Sequence, residues 1–112
     1  MFECSETEEF GLKWLVLSGR IDAMSAGEIG RKLDALLTAG ERIIGTDMEQ
    51  VNYMSSAGIR VFLTAQKKLI RVHGQIVMAH VRPEVLDVLK MSGLDALFRI
   101  AATREEAAGA VR

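Results

Sequence analysis

Three short apolar runs, residues 13–18 (KWLVLS), 43–48 (IIGTDM) and 76–81 (IVMAHV), alternate along the chain with stretches of helical apolar spacing. This alternation restricts the fold more than any other feature. Runs this short suit strands, and their near-continuous apolar character suits strands covered on both faces. Successive buried strands joined through helices require right-handed crossovers and a largely parallel sheet.

The helices are marked by their ends. Ser25 and Glu28 have the spacing of a capping box, Ile29, Leu33, Leu36 and Leu37 follow at helical spacing, and Gly40 supplies a left-handed stop. Residues 51–54 form a short extended link to Ser55-Ser56-Ala57-Gly58, where a second helix begins. Ile59, Phe62, Leu63, Leu69 and Ile70 give it an apolar face, and Gly74 ends it. Pro83 fits the first turn of a third helix, with Val85, Leu86, Val88 and Leu89 inward and Gly93 closing it. Residues 98–100 suit a last short strand, and Thr103 with Glu106 repeats the capping spacing before an Ala-rich helix. At the other terminus, residues 2–5 alternate like an edge strand, and residues 8–11 turn it into the first apolar run as a hairpin. The sum is β-β-α-β-α-β-α-β-α. It predicts one α/β domain over residues 1–112, with a mostly parallel central sheet, an N-terminal antiparallel hairpin and about four helices.

Charge narrows the functions open to such a domain. The 14 basic and 15 acidic residues leave a net charge of −1, without the basic face that neutralises nucleic-acid phosphates. Lys67, Lys68 and Arg71 read as the solvated side of a helix. Cys4 is the only cysteine, so an intrachain disulfide is ruled out, as is a Cys-rich metal site. The acidic start lacks the pattern of a signal peptide, and no apolar run approaches the roughly 20 residues that span a bilayer. A cytoplasmic protein without membrane insertion is expected.

In open α/β sheets, sites gather where strands end and helices begin. Three such points carry polar residues: Gly19-Arg20-Ile21-Asp22, Thr46-Asp47 and the stretch from Asn52 to Gly58. The last places two serines where an N-cap belongs. A phosphoryl group there would meet free backbone N–H groups and the positive end of a helix dipole, while a bare serine would serve as a cap. Catalytic readings are poorly supported. His73 and His80 lie far along from the serines, the Gly-x-Ser-x-Gly elbow is absent, and no phosphate loop, metal cluster or dinucleotide fingerprint is present. Asp22 and Asp47 could form a carboxylate pair, but read as ordinary loop acids. A phospho-acceptor Asp47 of a receiver domain lacks the adjacent acidic pair and the Lys-Pro that such domains carry.

Three stretches together resemble the STAS family (sulfate transporter and anti-sigma factor antagonist). They are residues 19–22 (GRID), 47–60 (DMEQVNYMSSAGIR) and 91–98 (MSGLDALF), in the family's order and spacing over nearly the whole chain. Freestanding members of this length are similar to anti-sigma factor antagonists, and the resemblance implies partner switching. The unphosphorylated antagonist binds an anti-sigma factor that is also a serine kinase, is phosphorylated and released, and is restored by a serine phosphatase. ATP and magnesium belong to those partners, and this chain needs no cofactor. The match puts the phosphoacceptor at Ser56, a nearby acid at Asp22 and the glycine of the helix start at Gly58. Ser55 stands where many members carry aspartate. The implied partner surface comprises Asp22, Asn52, Met54, Ser55, Gly58 and Arg60, with Tyr53 beside them. Other members serve as constitutive subunits of lipid-transport ATPase complexes or larger scaffolds, which is the alternative function.

Overall fold

The computed structural model describes residues 2–111. Its elements are β1 (Glu3–Glu9), β2 (Leu12–Ile21), α1 (Ala23–Thr38), β3 (Ile43–Met54), α2 (Ser56–Ile70), β4 (Gln75–Ala79), α3 (Pro83–Met91), a 3-10 turn (Leu94–Ala96), β5 (Arg99–Ala101) and α4 (Arg104–Ala110). The strands form one sheet in the order β1-β2-β3-β4-β5. Only the β1–β2 pair is antiparallel. The expected α/β architecture is therefore the observed one.

Helices α1, α2 and α3 cover one face of the sheet. Their Ile29, Leu33, Phe62, Leu69, Val85 and Leu89 pack with Leu15, Leu17, Ile44, Met48, Ile76 and Met78 of the strands. The other face is smaller and centres on Trp14, Val77, Ala79 and Ala107, with α4 as its cover. Trp14 lies flat over Gly45 of β3, where any Cβ would overlap ring carbons of the indole. Arg104, the first residue of α4, fastens this side. Its guanidinium stacks 5.1 Å from the Trp14 ring, donates to Asp47 Oδ2 at 2.8 Å, and reaches Thr7 and Glu9 of β1 at 3.1 Å each.

Within the main core, the one buried side-chain amide among the described residues is bonded at both ends. Gln66 of α2 accepts from Ile76 N–H at 2.7 Å and donates to the Leu97 carbonyl at 2.6 Å. It thereby ties α2 to the start of β4 and to the segment before β5. Such a residue interrupts an apolar stripe without cost only because both ends find partners.

Several boundaries differ from expectation, each for a local reason. Residues 43–48 and 51–54 are one strand, β3. The β2–β3 register shifts twice, between Val16 and Ser18 and between Gly19 and Arg20, so β3 carries extra residues there. Each bulge resets the alternation and returns Met48, Val51 and Met54 to the same core, leaving Glu49-Gln50 and Asn52-Tyr53 exposed between them. Helix α1 starts earlier than the Ser25–Glu28 box implied, because β2 runs on to Ile21 and Asp22 becomes the N-cap. Ser25 is the N3 partner of that cap, and Glu28 has no part in it. Strand β4 ends at Ala79, since His80 turns the chain with φ of 57°. Ile70, the last residue of α2, is exposed rather than inward.

Candidate functional site

Strands β2 and β3 run parallel and end side by side, with Ile21 opposite Met54. Two helices therefore start from adjacent points on one edge of the sheet. The link is direct: Ser55 N–H donates to the Ile21 carbonyl at 2.8 Å. Asp22 caps α1, accepting from Ser25 N–H at 3.0 Å while its own N–H donates to Ser25 Oγ at 2.8 Å. These bonds, first from the Ser25 backbone and then from its hydroxyl, hold the Asp22 carboxyl below its ordinary pKa. It is thus a fixed negative charge at neutral pH.

The two serines divide their roles. Ser55 is the N-cap of α2, and its hydroxyl accepts from Gly58 N–H at 3.3 Å. Ser56 is the first helical residue and is exposed. Among the described residues its hydroxyl has no hydrogen-bond partner. A group added to Ser56 therefore breaks no structural contact. It enters the field of a 15-residue helix, beside N–H groups that the cap does not use.

The N-cap role also accounts for serine at position 55, where the STAS resemblance leads one to expect aspartate. Aspartate and serine are both strong N-caps, so either satisfies the same backbone donor. Ser55→Ala is expected to cost about 1 kcal/mol in urea unfolding, and Ser55→Asp only a few tenths. Equal losses in the two variants would mean that the cap is not what Ser55 supplies.

Gly58 is buried under the strand ends. A Cβ there would stand 2.6 Å from Ile21 Cγ2 and 3.0 Å from Met54 Cγ. The glycine lets α2 sit close against β2 and β3, and so fixes where the serines project. Two residues expected at the partner surface are thus corrected. Met54 is 3% exposed and Gly58 is buried, so both belong to the support beneath the surface. Asp22, Asn52 and Arg60 are exposed and Ser55 is half-buried, all at the same edge. Tyr53 is partly exposed, with the Arg20 guanidinium stacked 4.0 Å from its ring.

Sequence reasoning missed a groove between the N-terminal halves of α1 and α2. It measures about 230 Å³ and is lined by Ala26, Gly27, Ala57, Arg60, Val61 and Thr64. Small residues create it, since Gly30 brings α1 close enough that a Cβ there would be 2.9 Å from Val61 Cγ2. The pattern A-G-x-x-G in α1 was the available signal. Its floor is apolar, it adjoins Ser56 through Ala57, and Arg60 supplies one positive charge at its rim.

Other candidates lie apart. Asp47 bonds Arg104 on the opposite face of the sheet and does not pair with Asp22. His80 sits past β4 with Nδ1 4.0 Å from Glu49, and His73 lies in the turn after α2. Among the described residues no group of three or more His, Cys, Asp and Glu side chains could hold a metal ion. None of the described helices is long and apolar enough to cross a membrane.

A family model described as STAS domain matches residues 6–107. BtrV of Bordetella bronchiseptica, named a candidate anti-sigma factor antagonist, is 34% identical over 102 residues, covering 91% of this chain and 88% of BtrV. An anti-sigma factor antagonist from Mycobacterium paratuberculosis has a crystal structure similar in fold, with a TM-score of 0.89 at 20% identity over 100% of this chain and 95% of that one. SpoIIAA, an anti-sigma factor antagonist and Bacillus cell fate determinant, is 25% identical in both of its forms. The unphosphorylated form has a TM-score of 0.81, covering 100% of this chain and 96% of that one. The phosphorylated form has a TM-score of 0.73, covering 100% of both.

Proposed function

The chain belongs to the STAS domain family, and from that premise we propose that it is an anti-sigma factor antagonist switched by phosphorylation of Ser56. Unphosphorylated, it binds an anti-sigma factor that is also a serine kinase, and the sigma factor is set free. The kinase transfers the γ-phosphoryl of its own Mg-ATP to the Ser56 hydroxyl, and the modified chain dissociates. A serine phosphatase then removes the phosphate by hydrolysis.

One observation carries this reading: the division between Ser55, which caps α2, and Ser56, which stands exposed without a structural bond. A kinase can reach Ser56 without unfolding the helix start. The contact surface consists of Asp22, Asn52, Ser55 and Arg60 with the α1–α2 groove. A phosphate added beside Ala57 covers the mouth of that groove with about two negative charges. The chain acts by presenting or masking this surface, and the chemistry belongs to its partners.

The test is displacement. Added to a preformed complex of sigma factor and anti-sigma kinase, the unphosphorylated chain is expected to release free sigma factor in size-exclusion chromatography. The chain phosphorylated at Ser56 is expected to leave the complex intact. Release by both forms would contradict the switch, and release by neither form from any anti-sigma factor of the source organism would contradict the function.

A further inference from the structure

Among the described residues two methionines are almost wholly exposed, Met24 at 87% and Met91 at 88%, while Met48, Met54 and Met78 are buried. The two exposed ones occupy opposite ends of the molecule. Met91 ends α3, which runs back from the carboxyl end of β4 toward the start of β5. Met24 lies in the first turn of α1, two residues after the Asp22 cap. Gly27, three residues further along the helix, lines the α1–α2 groove, whereas Met24 stands outside that lining. Met24 lines a separate depression of about 360 Å³ with Phe2, Asp22, Ser25, Glu28 and Arg31, and so shares it with the Asp22 of the proposed partner surface. A long, flexible and exposed thioether beside that acid is a contact that adapts to an apolar partner side chain.

We propose that Met24 is a contact residue of the partner surface and that its oxidation to the sulfoxide is a second input that weakens partner binding. This inference rests on the partner surface described under the proposed function. The oxidant is a hydroperoxide. A lone pair of the Met24 sulfur attacks one peroxide oxygen and the O–O bond breaks. The sulfur is oxidised to the sulfoxide, and the other oxygen leaves to become water or alcohol. An apolar contact then carries a strong S=O dipole that must be desolvated at the interface. Thiol-dependent methionine sulfoxide reductase removes the oxygen as water and restores the contact. Cys4 also carries an oxidisable sulfur, half-buried on β1. Burial, and next the Glu28 carboxylate, push its thiol above the ordinary pKa and leave little reactive thiolate.

The experiment treats the intact chain with dilute hydrogen peroxide, assigns sulfoxides by peptide mapping, and measures affinity for the purified anti-sigma kinases of the source organism. Met24 and Met91 are expected to oxidise before the three buried methionines. The wild type and Met91→Leu are expected to bind about tenfold more weakly after oxidation and to recover with sulfoxide reductase. Met24→Leu, whatever its own affinity, is expected to give the same value before and after peroxide. Unchanged wild-type affinity with Met24 fully oxidised would overturn this inference and leave the proposed function standing. A reduced chain that binds none of the kinases would overturn both.

Discussion

Phosphate on Ser56 is expected to lower affinity for the anti-sigma kinase by about a hundredfold to a thousandfold, roughly 3–4 kcal/mol, when titration calorimetry compares the pure phosphorylated and unphosphorylated chains. The magnitude follows from the place of the group. Ser56 sits beside the groove and within the proposed partner surface, so on that reading the phosphate is either desolvated or in the way. Asp22, held ionised by its Ser25 bonds, keeps a second negative charge at the same edge. The folded backbone has no cause to rearrange, because the cap of α2 is the Ser55 hydroxyl and the Ser56 hydroxyl is unbonded. Amide spectra of the two forms are therefore expected to differ only around the helix start. Ser56→Ala is expected to bind constitutively and Ser56→Asp poorly. Equal affinities of these two variants would contradict the interface mechanism.

The second large effect concerns the opposite face of the sheet. Trp14→Ala is expected to destabilise the chain by about 3–5 kcal/mol in urea unfolding, a large part of the roughly 5–15 kcal/mol typical of a domain. Trp14 is 0% exposed and is the main filling of that face. Its removal leaves a cavity over Gly45, a Glu9 carbonyl without its indole donor, and Arg104 without the ring it stacks on. Trp14→Phe keeps most of the volume, and its loss is expected to be well under half as large. A loss below about 1 kcal/mol for Trp14→Ala would mean that α4 and its face contribute little to stability.

The order of elements was legible because the apolar runs and the capping residues agree with one another. Residues 43–54 show where that reading stops. Positions 44–48 are buried without a break, and beyond them the buried positions fall at Val51 and Met54, a spacing of three that no regular strand gives. Only the double register shift against β2 explains it, and that is a property of the pair of strands. The start of α1 was misplaced for a related reason. Asp22 and Ser25 are as good a reciprocal pair as Ser25 and Glu28, and the length of β2 decides between them. Ser55 and Ser56 were legible as a helix start, but which of them caps depends on where β3 ends. The Arg104 fastening joins residues 57 and 97 positions apart in the chain, and no local spacing announces it.

The central claim is that Ser56, and not the capping Ser55, receives the phosphate. Intact-mass measurement and peptide mapping after incubation with the anti-sigma kinase and Mg-ATP test it directly, with Ser56→Ala and Ser55→Ala in parallel. The account predicts one phosphate on the wild type and on Ser55→Ala, and none on Ser56→Ala. A phosphate that persists on Ser56→Ala and disappears with Ser55→Ala would contradict it.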